Sequence, residues 1–271
     1  MLRLDRIHPL VQGNKWFKLK YNLEAAGNRK IVTFGGAYSN HIVATAAACK
    51  LYGLQSVGII RGEKPAQPGH TLLKAAELGM ELHYVSRELY AELKTGGEMT
   101  RLMQHLLHDA WIIPEGGHNA EGARGCEEIL TLADTSAYTH ILCAVGTGTT
   151  LAGLVNAGTQ QQVTGISALK GAFSLEEEVE SLLHTASPHW RILHDFHEGG
   201  YAKYTPALIH AMNDFYTETG IPTDRVYTGK MVLAFRQLLQ QQYFPAGSRI
   251  LLIHSGGLQG NESLSPGVLC F

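Results

Sequence analysis

What this chain of 271 residues lacks already narrows its chemistry. No uncharged apolar run approaches the roughly 18 residues that a membrane span needs, so no membrane partner is expected. Charges nearly balance, with 22 Lys and Arg against 24 Asp and Glu and a formal net charge of −2. Without a basic excess the chain has no electrostatic footprint for nucleic acid. Its four cysteines, Cys49, Cys126, Cys143 and Cys270, are scattered and form no Cys-x-x-Cys pair. That argues against a disulfide framework and for a reduced, cytoplasmic setting. No cationic start leads into an apolar core, so no signal peptide is expected. The 14 histidines invite a metal, yet His105 with His108 and His194 with His197 are only pairs. Neither a His-Glu-x-x-His run nor a three-ligand set accompanies them, and no metal is expected. The partner that remains is a small molecule.

What is present is a regular alternation. Short apolar runs at 31–35, 56–60, 82–85, 111–114, 139–145, 163–168, 191–196 and 249–254 read as strands. Several lack in/out alternation, as strands buried on both faces do, which points to parallel sheets covered by helices. Helical stretches fall between them at 40–51, 69–78, 98–108, 120–132, 151–158, 205–219 and 230–241. The alternation predicts an α/β, doubly wound architecture. The acidic run Glu176-Glu177-Glu178 with Glu180 reads as a solvated helix face.

Ligands of open parallel sheets bind at the carboxyl ends of strands. Four such ends carry paired or spaced glycines: Gly35-Gly36, Gly116-Gly117, Gly146-Thr147-Gly148 and Gly256-Gly257. The third is the most informative. Gly146-Thr147-Gly148-Thr149-Thr150 closes a strand and opens a helix, where exposed N–H groups, the helix dipole and threonine hydroxyls favour an anion. Leu151 occupies the third glycine position of a dinucleotide fingerprint, and no Gly-Lys-Ser/Thr ends the loop as in a P-loop. A monophosphate is the better fit. Other notable segments are Gly13-Asn14-Lys15-Trp16-Phe17-Lys18-Leu19-Lys20, Gly35-Gly36-Ala37-Tyr38-Ser39-Asn40-His41 and Asp224-Arg225-Val226-Tyr227-Thr228-Gly229-Lys230. On the residues alone the first reads equally well as a basic helix face, in which Lys18 would be a surface lysine. In the second, Ser39 or Asn40 serves as an N-cap on any reading.

In this order, and with Pro114-Glu115-Gly116-Gly117 between them, the segments resemble one family. It is the 1-aminocyclopropane-1-carboxylate (ACC) deaminase and D-cysteine desulfhydrase family, pyridoxal 5′-phosphate (PLP) enzymes with the fold of the tryptophan synthase β subunit. The similarity spans about Leu4 to Gly257. The resemblance implies that Lys15 holds PLP as a Schiff base and shuttles the substrate's α-proton. It places Asn40 against the pyridine ring, and Gly146, Thr147, Gly148, Thr149 and Thr150 around the phosphate. Ser39, Asn40 and His41 match positions beside the substrate carboxylate, with the Ser39 hydroxyl also a candidate nucleophile. Tyr227 matches a substrate-facing tyrosine and Thr228 the partner of the pyridine nitrogen; Tyr201 is a further candidate for the substrate site.

Where ACC deaminases carry a glutamate, Thr228 offers a neutral hydroxyl and a weaker electron sink, sufficient when a thiol leaves the β-carbon. The expected reaction is therefore α,β-elimination on D-cysteine or a related D-amino acid, giving a 2-oxo acid and ammonia. ACC ring opening is the alternative, and a non-catalytic PLP-binding homologue a further one. The chain also departs from the family at Tyr38, where glutamine is common, and at Arg225, where proline is. The family carries a longer segment before Gly13-Asn14-Lys15, so an unpaired edge in the larger sheet is expected. Two domains are anticipated, a smaller one at 29–113 and a larger PLP-binding one made of 1–28 plus 114–271, with the site between them. A homodimer is implied by the resemblance alone.

Overall fold

The computed structural model describes residues 1–95, 101–158 and 160–271. Among the described residues nine strands form two sheets, and every pairing in them is parallel. The first sheet has the order β4-β3-β2-β5, built from β2 (Ile31–Gly36), β3 (Ser56–Arg61), β4 (Glu81–Val85) and β5 (Trp111–Ile113). The second has the order β1-β9-β6-β7-β8, from β1 (Leu2–Arg3), β6 (His140–Val145), β7 (Gln162–Ser167), β8 (Trp190–Leu193) and β9 (Ile250–His254). The inner strands β2, β3, β6 and β7 are buried along almost their whole length, which is why they read as unbroken apolar runs.

Helices α1 (Asn14–Ala26), α2 (Asn40–Tyr52), α3 (His70–Glu77), α4 (Arg87–Thr95) and α5 (Arg101–Leu107) precede or flank the first sheet. Helices α6 (Ala120–Glu127), α7 (Thr149–Asn156), α8 (Leu175–Glu180), α9 (Pro206–Thr219) and α10 (Thr228–Gln240) accompany the second. Of the helix expected at 98–108, positions 98–100 lie outside the described residues; α5 accounts for the rest. The helix expected at 120–132 is α6 followed by a 3-10 turn at Glu128–Leu132.

One expectation is corrected and one is met. The edge of β9 is not bare, because β1 pairs with it, Leu2 opposite Ile253 and Arg3 opposite His254. This two-residue strand is pinned by charge: Arg3 bonds Asp5 at 2.5 and 2.7 Å, and Asp5 Oδ1 lies 3.2 Å from Nδ1 of the buried His254. The acidic run forms the solvated face expected of it, with Glu177, Glu178 and Glu180 exposed. Its helix α8 buries Leu175 and Val179, while Glu176 pairs with His194 and Glu178 with His118, each at 2.8 Å.

Candidate active site

The carboxyl ends of both sheets face one cleft, and a cavity of about 780 Å³ opens there. Four helices aim their N-termini at it, represented in its wall by Lys15 of α1, Asn40 of α2, Thr150 of α7 and Tyr227 just before α10. Each N-terminus carries a partial positive charge and unpaired N–H groups. Together they suit an anionic ligand and disfavour a protonated amine.

Lys15 stands in the first turn of α1, in the wall of this cavity. Gly13 sets the entry to α1 with φ of 63°, and a Cβ there would fall 1.9 Å from the Ser255 carbonyl oxygen. Only glycine lets the chain run this close to the loop after β9, where the Asn14 amide donates to Ser255 O at 3.1 Å. Asn14 then joins the lysine to the glycine loop: its Oδ1 accepts from Lys15 Nζ at 3.0 Å and its Nδ2 donates to Thr150 Oγ1 at 2.8 Å. Protein surrounds the amine, and burial followed by the charge of Lys18 lowers its pKa to about 7. Lys18, one turn on, is itself buried, donates to Gly116 O at 2.9 Å, and is lowered by burial to about 8. It is not a surface lysine.

The loop Gly146–Thr150 runs from β6 into α7. Gly148 holds φ of 80°, and a Cβ there would meet Val179 Cγ2 at 2.8 Å. The hydroxyls of Thr147 and Thr149 lie 3.1 Å apart, and Thr149 contacts His118 Nδ1 at 3.2 Å. Glu178 holds the other face of that imidazole at Nε2. Across the cleft, Ser39 is the N-cap of α2, yet its side chain caps no amide, leaving the hydroxyl uncommitted to the helix. Asn40 Oδ1 accepts from Gln259 at 2.8 Å.

His41 is fixed by one buried hydrogen bond that also sets its tautomer. Thr33 gives its hydroxyl proton to Ile113 O at 2.8 Å, so at 2.8 Å from Thr33 Oγ1 the His41 Nε2 must be the donor. That leaves Nδ1 a bare acceptor, buried and without a partner among the described residues. Burial and the charges of Lys15 and Lys18 hold the imidazole well below its ordinary pKa, hence neutral. Tyr227 lies against the loop, its ring 3.1 Å from where a Gly146 Cβ would stand. Burial pushes its phenol well above the ordinary range, so it stays protonated.

Of the residues singled out in the sequence, Lys15, Ser39, Asn40, His41, Gly146, Thr147, Gly148, Thr150, Tyr201 and Tyr227 line the cavity together. Thr149 and Thr228 are fully buried and stand behind the wall. The Thr228 hydroxyl donates to Asp224 Oδ1 at 2.7 Å and accepts the Asp224 amide at 2.8 Å. Ser255-Gly256-Gly257 also borders the cavity. Sequence reasoning passed over His118, Glu178, Arg61 and Gln259, which line it too. His118 directly follows a glycine pair, a usable signal; Glu178 and Gln259 arrive by packing and leave none.

A deprotonatable lysine beside a monophosphate cradle, in a cleft between two parallel sheets, defines an enzyme that captures an aldehyde-and-phosphate cofactor. The chain belongs to the pyridoxal-phosphate dependent enzyme family, whose sequence pattern matches residues 2–256. It is 31% identical to a Thermotoga maritima protein named as an ACC deaminase, over 96% of this chain and 88% of that one. It is 29% identical to the bifunctional mitochondrial D-cysteine desulfhydrase/ACC deaminase of Arabidopsis thaliana, over 92% and 70% respectively. The crystal structure of an ACC deaminase homologue superimposes with a TM-score of 0.77 at 26% identity, covering 96% of this chain and 84% of that one. The residues present fit PLP: the Gly146–Thr150 loop has the amides and hydroxyls a phosphate needs, the Lys15 amine a lowered pKa suited to an aldehyde, and the orphaned His41 Nδ1 marks a polar position that a ligand can satisfy. Among the described residues no helix is long and apolar enough to cross a membrane, and no group of three His, Cys, Asp or Glu side chains is placed for a metal.

Proposed function

We propose that this chain is a PLP-dependent lyase or deaminase of small amino acids, with α,β-elimination on D-cysteine or a related D-amino acid as its leading reaction. The observation that carries the reading is the Lys15 amine, with a pKa near neutrality and joined through Asn14 to the Gly146–Thr150 cradle. Gly146, Thr147, Gly148, Thr149 and Thr150 would hold the phosphate, Lys15 the aldehyde carbon and Asn40 the ring face; Thr228, expected at the ring nitrogen, instead gives its hydroxyl proton to Asp224 behind the wall. When bound, PLP supplies an electron sink for the charge left on the substrate's α-carbon. The protein does the rest. The uncommitted Ser39 hydroxyl and the first amides of α2, with Asn40, bind the substrate carboxylate, while the neutral His41, whose Nδ1 can only accept, takes a donor group nearby. Lys15, neutral for part of the population at pH 7, takes the α-proton. The protonated phenol of Tyr227 donates towards the group leaving the β-carbon, with Tyr201 beside it. A 2-oxo acid and ammonia are the products.

ACC deamination is the second reading, favoured by the Asp224 carboxylate bonded to the Thr228 hydroxyl, which brings a negative charge one atom behind a neutral threonine. We further propose that 29–113 forms the smaller domain and 1–28 plus 114–271 the larger, closing on substrate to exclude water. A cytoplasmic homodimer is the proposed assembly, and the exposed Leu51 and Tyr52 at the end of α2 are suited to such a contact. The test is direct. Purified protein given PLP should release sulfide and pyruvate from D-cysteine, or 2-oxobutyrate from ACC, and borohydride should fix the cofactor on the peptide containing Lys15. Turnover of neither substrate, or an adduct retained in Lys15→Ala, refutes the assignment.

A further inference from the structure

Lys230 is a buried cation that the proposed chemistry does not use. It is 1% exposed, and its Nζ donates to two backbone carbonyls, Gly200 O at 2.7 Å and Ala168 O at 3.2 Å. Gly200 belongs to an unusual loop. Glu198, Gly199, Gly200 and Ala202 all have positive φ, at 51°, 91°, 113° and 55°. Two of these are not glycine, and such conformations persist only where the surroundings impose them. Between them stands Tyr201, in the cavity wall, its ring edge-on to Tyr227 with centroids 6.4 Å apart.

A second cation holds the other side. The Arg225 guanidinium donates to Ala202 O, to Gly260 O at 3.3 Å and to Ser263 Oγ at 2.8 Å, and lies 5.2 Å over the Tyr204 ring. Gly200 and Ala202 are the two neighbours of Tyr201, so the carbonyls flanking that residue each accept from a cation. Both cations come from one rigid turn. The Asp224 carboxylate accepts the amides of Val226 and Tyr227 at 2.9 Å and that of Thr228 at 2.8 Å, which fixes the entry to α10. Arg225, Tyr227 and Lys230 therefore move as a unit. Asp224 and Glu198 are the negative charges near Lys230, and burial lowers its pKa only to about 8, so it remains largely cationic at neutral pH.

We propose that Arg225 and Lys230 are positioning residues that grip the carbonyls on either side of Tyr201 and so hold its phenol against Tyr227 at the mouth of the substrate cavity. The inference rests on the reading of this cavity as the amino-acid site. It assigns to Arg225, a departure from the family's pattern in the sequence, a hold that adds to the loop's own backbone bonds, Gly200 N–H to His197 O at 2.9 Å and Lys203 N–H to Gly200 O at 3.1 Å.

The test uses the holoenzyme and the variants Lys230→Met, Arg225→Ala, Tyr201→Phe and the doubles that include Tyr201→Phe. Hydrogen exchange followed by mass spectrometry should show the 197–204 peptide exchanging about tenfold faster or more in Lys230→Met and in Arg225→Ala, with the β6 and β7 peptides unchanged. With substrate, kcat/KM should fall about tenfold to a hundredfold, the scale of a small misplacement of a contacting group. In the Tyr201→Phe background the same substitutions should add little, because residues acting through one partner are not additive. Unchanged exchange at 197–204, or full additivity with Tyr201→Phe, overturns the proposal. If Lys230→Met does not fold, Arg225→Ala with the same readouts decides. Faster exchange in an enzyme that turns over neither substrate would sustain the clamp and sink the assigned reaction.

Discussion

The Lys15 amine makes a prediction about stability that is independent of turnover. In the cofactor-free protein its pKa is about 7 against an ordinary 10.5, through burial first and the Lys18 charge second. Below pH 7 the folded protein must therefore hold a proton on Lys15 that the cavity resists. At about 1.4 kcal/mol for each pH unit between the two values, the ceiling on this destabilisation is roughly 5 kcal/mol. Water that enters the cavity screens the charge, and about 2 kcal/mol is the expected size. The sign follows from linkage. Between pH 7 and 10.5 the unfolded chain binds more protons than the fold, so stability rises with pH across that window. Lys15→Met removes the titrating group. The variant should be more stable than the parent by about 2 kcal/mol at pH 6, with the advantage shrinking as pH climbs to 10. Urea unfolding of both proteins at several pH values, without PLP, measures this difference directly. A gain that does not change with pH would reflect packing alone, and a loss at pH 6 would mean that the amine is not disfavoured in the cavity. Either result refutes the reasoning.

Two further outcomes are expected. Gly148→Ala forces a left-handed conformation on an alanine and drives its Cβ to 2.8 Å from Val179, so it should cost roughly 1–2 kcal/mol in backbone strain and weaken PLP binding, measured by equilibrium dialysis; unaltered affinity would place the phosphate elsewhere. Asp5→Asn should release β1 from β9, at a cost of about 3 kcal/mol for breaking a buried charge pair. Burial pushes the Asp5 carboxyl up but its bonds to Arg3 and the nearby His254 more than reverse this, leaving a net lowering; its contribution is therefore present above the ordinary carboxylate range and lost as pH falls below it, and thermal melts from pH 6 down to 3 in parent and variant should converge.

The strands and glycine loops were legible in the sequence because a strand buried on both faces must be apolar throughout and a backbone that approaches a ligand must shed its side chains. The features that escaped share a different cause. Strand β1 has two residues and no pattern; it exists because Asp5 meets His254 after the chain has folded. Helix α1 read equally well as a basic surface stretch, since Lys18 and Asn22 are polar in type yet turned inward. Asn22 accepts from Trp111 Nε1 at 3.1 Å and from Asn119 Nδ2 at 2.7 Å, a network assembled from three distant segments. The same limit applies to charge. On the residues alone Lys15 and Lys18 share one basic helix face, and only the resemblance singles out Lys15. Position separates them: Lys18 is buried and donates to Gly116 O, whereas Lys15 stands half-buried in the cavity wall, donates to Asn14 Oδ1 and bears the charge of Lys18. The lysine with the lower pKa is thus the one that bears the other's charge. Its lowering comes from burial first and Lys18 second, and that burial is set by segments far apart in the chain, which spacing does not record.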